Sequence, residues 1–377
     1  MQLHILLVLF YQLMGEHLFD MKSFDALCIN KNTFYNLEKR VDNFHKISDV
    51  NTKILFGKTE SIEVPMLSVI IPTYGRSLLF KEALSSVLNQ EKTVFSWEVL
   101  VMDNTPLDAM GQTPALKIVQ AFSDERVYLY HNAINIGSGY NWNRGVELAR
   151  GEWITFLHDD DVLCRDSLIC IGKIIETMSK RVEKPLGYIQ ARRYKFTNVF
   201  DEEKIKFKVL PFCLELTQLT SLLLGHTHTG MPTCGTTIRK SAYIKAGGIN
   251  YDFGPTADAV LGYQIMKDYT VIRSGYVLGG YRWADNESQK IDTIEKLLIS
   301  DELFARYRIN KSCFGKVWGR LFMSAYLAKN KKAKYGDINN KISISIFERL
   351  GIYLYEMFLA IVKICMCIKG LIKYFMT

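Results

Sequence analysis

Three consecutive aspartates, Asp159, Asp160 and Asp161, follow an apolar run at residues 153–157, with His158 between them and the run. Carboxylates held this close raise one another's pKa unless a cation neutralises them. A hard divalent ion such as Mg²⁺ or Mn²⁺ prefers carboxylate oxygens and keeps coordination positions for water or phosphate. The cluster therefore predicts a divalent-cation site for a phosphate-bearing ligand. The alternative is a helix-capping turn, because a helix is expected from Arg165 onward.

The elements that must position this cluster are short apolar runs alternating with amphipathic stretches. Strands are predicted at 67–71, 97–102, 127–130 and 153–157, with helices over 77–90, 140–150 and 165–180. Further strands are expected at 186–196, 234–239 and 276–283, and a helix at 256–267. Apolar strands alternating with helices predict an α/β fold with a doubly wound, mostly parallel sheet flanked by helices.

Polar side chains follow each of the first four predicted strands. They are the 73–76 segment, Asp103 with Asn104, Asn132 with Asn135, and the three aspartates. Ligands of open α/β sheets bind beyond the carboxyl ends of the strands. The pattern therefore predicts one ligand site along this edge of the sheet.

The positive charge of the chain is concentrated in its C-terminal part. The net charge is +8, yet residues 311–377 carry twelve Lys and Arg against three acids. This distribution argues against a basic nucleic-acid cleft in the body of the protein. Residues 342–376 are apolar with interspersed lysines, which favours an amphipathic helix on an anionic membrane surface. Packing against the body of the protein or a partner is the second alternative, and a spanning helix is the least favoured. We expect a cytoplasmic protein, peripheral at the inner face of the cell membrane.

The chain divides into three predicted regions at changes of pattern. Residues 1–64 are expected to form a helical extension, residues 65–290 the α/β domain, and residues 291–377 a helical, basic and apolar region.

Four segments, in their order and spacing, resemble the family 2 glycosyltransferases of the GT-A fold. They are SVIIPTYGR at 68–76, VLVMDN at 99–104, NIGSGYNWNRG at 135–145 and GEWITFLHDDDVL at 151–163. The resemblance implies a hexosyltransferase-type enzyme that moves a sugar from a nucleotide-sugar, with UDP expected, onto an acceptor hydroxyl. It also implies inversion at the anomeric carbon by direct displacement, and a glycan or lipid-linked acceptor in surface polysaccharide or glycolipid synthesis.

The resemblance assigns a set of donor-binding residues. Those expected to bind the nucleotide-sugar are Pro72, Thr73, Tyr74, Arg76, Asp103, Asn135, Asn143, Asp159 and Asp160. For Asn135 and Asn143, turn formation and helix capping are the alternatives.

The aspartates match the DxD element of that family, although the usual first acid aligns with His158. Asp160 is the first choice as ligand of Mn²⁺ or Mg²⁺, with Asp161 beside it. His158 is a less favoured candidate ligand, and a turn histidine whose ring is satisfied by other partners is the preferred alternative. Members of the family often carry a histidine after the strand near residue 283. This chain has none there, which leaves the last metal ligand open.

A base must take the proton of the attacking hydroxyl. By resemblance this base is Asp258, which follows the glycine pair at 247–248, and Asp252 is the alternative. Ala257 stands where a glutamate is common. A catalytically degenerate scaffold of the same fold, bound to the membrane, and a nucleotidyltransferase remain competing hypotheses. A Rossmann oxidoreductase is disfavoured, since no GxGxxG follows an early strand.

Overall fold

The structure is a computed structural model that describes residue 37 and residues 39–58, 63–205, 208–217, 234–283 and 290–309, with part of 350–364.

The described strands form one ten-stranded mixed sheet. In chain order they are β1 (Thr52–Phe56), β2 (Leu67–Thr73), β3 (Trp97–Asp103), β4 (Val127–Asn132), β5 (Trp153–Phe156), β6 (Val162–Leu163), β7 (Leu186–Phe196), β8 (Val209–Leu216), β9 (Thr236–Arg239) and β10 (Thr270–Arg282). The order across the sheet is β1-β4-β3-β2-β5-β9-β7-β10-β6, and β8 pairs with β10 off this path.

The centre of the sheet is a parallel block of β4, β3, β2 and β5. Strand β9 then runs antiparallel to both β5 and β7, while β7 and β10 are parallel to each other. Because four parallel strands lie side by side, their carboxyl ends share one edge. The predicted α/β sheet is confirmed.

Helices cover both faces of the sheet. They are α1 (Ser77–Leu88), α2 (Pro114–Phe122), α3 (Ser138–Leu148), α4 (Ser167–Ser179), α5 (Lys240–Lys245), α6 (Ala257–Ile265) and α7 (Ile291–Ile309). Short 3-10 turns occur at Phe44–Ile47, Glu202–Lys204 and Tyr251–Thr256.

Strand β2 shows how alternating side chains build two cores. Val69 and Ile71 pack with α1, α2 and α4, whereas Ile70 packs on the other face with α3 and α6. Helix α3 lies close on that face at Gly145, where a Cβ would stand 2.7 Å from Ile70 Cγ2. The sheet is thus buried on both faces, as a largely parallel sheet requires.

The prediction of a helical extension over residues 1–64 is wrong for residues 52–56. These form β1, which pairs antiparallel with β4 at the edge of the sheet. Most of that extension lies outside the described residues, and the three-region division stays a prediction.

The described part of the C-terminal segment is helical at residues 352–357. Ile352 and Tyr355 are buried there, while Leu354, Met357, Ile361 and Ile364 are exposed. Among the described residues, no helix combines the length and hydropathy needed to cross a bilayer. The lysines of the predicted basic stripe lie outside the described residues.

Candidate active site

The three aspartates lie in the turn between β5 and β6, at the shared carboxyl edge of the sheet. All three are buried, and Asp161 has no exposed surface. The turn is closed by a hydrogen bond from the Asp161 backbone N–H to the His158 carbonyl, at 3.2 Å. The three acids therefore lie buried at this edge of the sheet.

Each aspartate has a different partner. Thr73, at the end of β2, donates its hydroxyl to Asp159 Oδ2 at 2.9 Å. Arg76 forms an ion pair with Asp160 and lies 3.7 Å from Asp159 Oδ1. The segment after β2 and the aspartates after β5 therefore meet, as their adjacent parallel strands require.

Asp161 is held from the opposite half of the sheet. The backbone N–H of Arg282 donates to its Oδ1 at 2.9 Å, and the Cys234 thiol donates to its Oδ2 at 3.1 Å. The Arg282 guanidinium also donates to the Asp160 carbonyl at 2.8 Å and forms an ion pair with Glu82 on α1. Sequence reasoning missed both Cys234 and Arg282, which lie in no recognisable motif.

Burial raises the pKa of the Asp159 and Asp161 carboxyls, and the charge of neighbouring Asp160 adds to the rise. The Thr73 hydroxyl opposes this effect at Asp159, while His158 and the Arg282 N–H oppose it at Asp161. Because burial disfavours the ionised carboxylates, a cation that neutralises their charge stabilises the turn. The electrostatics of the turn therefore suit a bound cation.

The donor set also fits a metal ion. One ligand atom from each of His158, Asp160 and Asp161 can be chosen so that all lie within 4.8 Å of one another. Imidazole nitrogen and carboxylate oxygens together suit a first-row divalent ion such as Mn²⁺. This group contains the two predicted ligands, Asp160 and Asp161, together with His158.

Asp103 ends β3 and is completely buried. Its Oδ1 accepts the Thr105 N–H at 2.8 Å, and its Oδ2 accepts the Thr113 hydroxyl at 2.6 Å. Thr113 also caps the N-terminus of α2. Asp103 thus fixes the loop between β3 and α2, whose Thr105 hydroxyl accepts the Gly75 N–H at 2.9 Å.

A ladder of buried asparagine amides ties the ends of β3, β4 and α3 together. Asn132 donates to the side-chain oxygens of Asn104 and Asn141, at 2.8 Å each. Asn141 in turn donates to the Met102 carbonyl at 2.8 Å. These hydrogen bonds join the strand ends behind the carboxyl edge of the sheet. The sequence does not predict the role of Asn141.

The remaining predicted donor residues fall into two groups. Tyr74 is half exposed and Pro72 is buried, both beside Thr73 at the edge. Asn135 is exposed and accepts the Gly137 N–H at 2.9 Å, the turn-forming alternative considered for it.

Asn143 does not join the aspartates in this structure. It is fully buried, and its amide bonds the Ile249 backbone N–H and carbonyl and the Tyr243 hydroxyl, at 2.8–2.9 Å. It therefore holds the segment after the glycine pair against α3. The predicted nucleotide contact has no geometric support here.

Residues 68–246 match the sequence model of glycosyl transferase family 2. These residues form a glycosyl transferase family 2 domain. The match contains Thr73, Arg76, Asp103 and the three aspartates, and ends before Asp252 and Asp258.

Two relatives show how far the sequence likeness extends. A putative colanic acid biosynthesis glycosyl transferase, WcaA of Escherichia coli, is 35% identical over 99 residues, which are 26% of this chain and 33% of the relative. The GalNAc(5)-diNAcBac-PP-undecaprenol β-1,3-glucosyltransferase of Campylobacter jejuni is 33% identical over 105 residues, which are 28% of this chain and 33% of the relative. The matched segments thus span about a third of these curated relatives.

Solved structures share the GT-A-like fold of this chain over a longer stretch. S. aureus TarS 1–349 in complex with UDP-GlcNAc has a TM-score of 0.52 at 15% identity, over 76% of this chain and 78% of TarS. The complex of the same protein with UDP gives a TM-score of 0.51. At this identity the likeness establishes the fold.

Asp258 and Asp252, the two predicted bases, lie beyond the matched residues and occupy different surroundings. Asp258 is half-buried in the first turn of α6, where the Ala259 N–H donates to its Oδ1 at 2.7 Å. Its charge helps to raise the pKa of Tyr188 on β7, behind burial as the main cause. Asp252 is exposed and pairs with Lys46 at 2.9 Å.

Proposed function

We propose that this chain is a glycosyltransferase that moves a sugar from a UDP-sugar to an acceptor hydroxyl, with a divalent ion, in surface polysaccharide or glycolipid synthesis. The observation that carries the proposal is the convergence of Thr73, Arg76 and the three buried aspartates at the carboxyl edge of a family 2 domain. UDP is the nucleotide to test first, because TarS was solved with UDP and with UDP-GlcNAc.

His158, Asp160 and Asp161 would hold the metal, which supplies positive charge to the diphosphate of the departing nucleotide. The residues around them keep these ligands in place. Thr73 fixes the Asp159 carboxylate, Cys234 and the Arg282 N–H fix that of Asp161, and the Arg282 side chain fixes the turn. Such outer partners orient ligands and set metal affinity.

The Arg76 guanidinium can pair with either a carboxylate or a phosphate. It pairs with Asp160 in this structure, and its side chain is 43% exposed. A guanidinium in that position can bond a phosphate of the donor through its planar fork. We infer that Arg76 exchanges its carboxylate partner for the donor diphosphate.

The reaction also needs a group that takes the acceptor proton. We assign it to Asp258, whose half-buried carboxylate stands in the first turn of α6. As the acceptor oxygen forms its bond to the anomeric carbon, the bond to the nucleotide phosphate breaks and the hydroxyl proton passes to Asp258. A single displacement of this kind inverts the configuration of the sugar.

The test is hydrolysis of nucleotide-sugars by water, with and without Mn²⁺. UDP-sugars are expected to be turned over only with the metal, and Asp160→Asn to lower this rate by about 10²- to 10³-fold through lost charge stabilisation. Asp124→Asn is the matched control, since Asp124 precedes β4 at the opposite end of the sheet. Metal-dependent turnover that survives Asp160→Asn would remove the metal assignment. Absence of both turnover and metal-dependent UDP binding would favour a degenerate scaffold.

We also propose that the C-terminal segment binds the inner face of the cell membrane. Leu350, Leu354, Met357, Ile361 and Ile364 are exposed and recur at spacings of three and four, as on one helix face. The excess of lysine and arginine in 311–377 suits anionic headgroups. Vesicles with anionic lipid should sediment the full chain but not a variant lacking residues 342–377. Equal sedimentation of both proteins would refute this.

A further inference from the structure

Two cationic side chains lie over two aromatic rings where β7 and β10 end side by side. The Arg193 guanidinium carbon is 4.2 Å from the centre of the Tyr281 ring, and the Lys195 ammonium is 3.3 Å from that of Trp283. The two rings contact each other edge to face, with centroids 6.2 Å apart. We call these four residues the cationic strip.

The cationic strip adjoins the aspartate turn through the backbone of β10. Arg282, between Tyr281 and Trp283, donates its N–H to Asp161. The Cys234 thiol, which donates to Asp161, also lies 3.4 Å from the Gly280 carbonyl. Arg193 is close enough to lower the otherwise raised pKa of that thiol.

The two cations of the strip differ from the other cations at the turn in their ion pairing. Arg76 is paired with Asp160, and Arg282 with Glu82. Arg193 and Lys195 are exposed, and no carboxylate of the described residues forms an ion pair with either. A cation over an aromatic face is held in place by the ring quadrupole and keeps its full charge. The strip thus presents two ordered positive charges to solvent.

We propose that the cationic strip is an acceptor subsite for a glycan that carries anionic groups, phosphate or carboxylate. This rests on the proposed function and names its acceptor class. Arg193 and Lys195 bond the anionic oxygens, while the half-buried rings of Tyr281 and Trp283 offer apolar surface to a sugar ring. An acceptor bound here lies beside the aspartate turn, where the anomeric carbon of the donor is expected.

The test compares two double variants that lose the same charge. Arg193→Gln with Lys195→Gln removes the cations of the strip, and Lys53→Gln with Lys92→Gln removes two exposed lysines elsewhere. Calorimetric titrations use hexagalacturonate for carboxylate, tripolyphosphate for phosphate and maltohexaose as the neutral probe. The strip variant should bind one or both anionic probes about tenfold or more weakly than wild type and the control variant. Which probe responds identifies the anion.

Three results would overturn the proposal. They are failure of wild type to bind either anionic probe, equal loss of binding in both double variants, and weaker UDP binding as the main effect in the strip variant. Metal-dependent hydrolysis of the nucleotide-sugar is expected to be the same in wild type and the strip variant. If wild type shows no such hydrolysis, the proposed function fails, while the binding comparison still decides whether the strip recognises anions.

Discussion

The two halves of the sheet hold their polar groups in opposite ways. In the half formed by β2, β3, β4 and β5, the parallel strands pair without a register shift. The polar groups there bond one another, as in the asparagine ladder and the Asp103 loop. In the half formed by β7, β8 and β10, the pairing is bulged, and Arg193 and Lys195 form no ion pair with any carboxylate that the structure describes.

This difference indicates how donor binding and acceptor binding are divided between the two halves. A closed network of buried hydrogen bonds fixes one geometry, which suits a donor whose nucleotide part is constant. Bulges bend a strand, re-aim its side chains and are common beside active sites. The family match ends at residue 246, before α6 and β10. We therefore expect the first half to set donor chemistry and the second to set the acceptor and its deprotonation.

The largest effect that can break this division is loss of the base. Asp258→Asn keeps the size of the side chain but cannot take a proton, so transfer should fall by about 10²- to 10⁴-fold. UDP affinity, measured by calorimetry, should be unchanged, because Asp258 belongs to the acceptor half.

Asp252→Asn is the matched comparison for that prediction. Its carboxylate is exposed and paired with Lys46, so the substitution should leave the transfer rate within about twofold, since exposed ion pairs contribute little. A larger loss in Asp252→Asn than in Asp258→Asn would exchange the two assignments.

A smaller effect is expected where the halves meet, at Arg282. Arg282→Lys keeps one charge but not the planar fork that reaches the Asp160 carbonyl, the Asn198 carbonyl and Glu82. Loss of an outer partner of this kind weakens metal binding by about 10- to 100-fold. Titration with Mn²⁺ in the presence of UDP measures it. Unchanged Mn²⁺ affinity would mean that the two halves are not coupled through this side chain.

The same contrast decides what could be predicted from sequence. Strands β2 to β5 were predicted within about two residues because buried parallel strands are continuous apolar runs. The sequence pattern does not predict strand β8, because Pro211 interrupts the run of strand-forming residues. Proline in a sheet is confined to edge strands, strand starts and bulges, and the pairing of β8 with β10 is irregular where Pro211 lies. Helix α2 was missed although Thr113 and Pro114 are a cap and first-turn pair.

The candidate site divides in the same way. The aspartates and Thr73 could be predicted because a local motif at a strand end marks them. Cys234 and Arg282 reach Asp161 from 73 and 121 residues away, so no local pattern connects them to it. Asn143 was placed near the nucleotide by resemblance, whereas its contacts to Ile249 and Tyr243 depend on how α3 packs.

Asn143 provides a test of rigidity in the first half. Asn143→Ala leaves the Ile249 N–H, the Ile249 carbonyl and the Tyr243 hydroxyl without their partner, which should lower the free energy of unfolding by about 3 kcal/mol. Urea unfolding measures this, and Asn135→Ala, at an exposed turn, should cost under about 1 kcal/mol. Wild-type stability together with a large loss of UDP affinity would instead restore the nucleotide-binding role.

The smallest effect concerns the rim of the first half, where Asp124 pairs with Arg126 at 2.6 Å. The Arg126 side chain, opposed by partial burial, lowers the pKa of Asp124 below its ordinary value of 3.8. The pKa of Asp124 is lower in the folded than in the unfolded protein. The ion pair therefore stabilises the fold fully at pH values above the unfolded-state pKa, and this stabilisation is lost as the pH falls through the folded-state pKa. Asp124→Asn should therefore cost about 0.5–1 kcal/mol at pH 7, a size typical of exposed pairs. The difference from wild type should shrink steadily below about pH 4 in urea unfolding curves. A difference that stays constant down to pH 3 would show that the carboxylate charge contributes nothing at this rim, and that the order of the first half comes from its buried network alone.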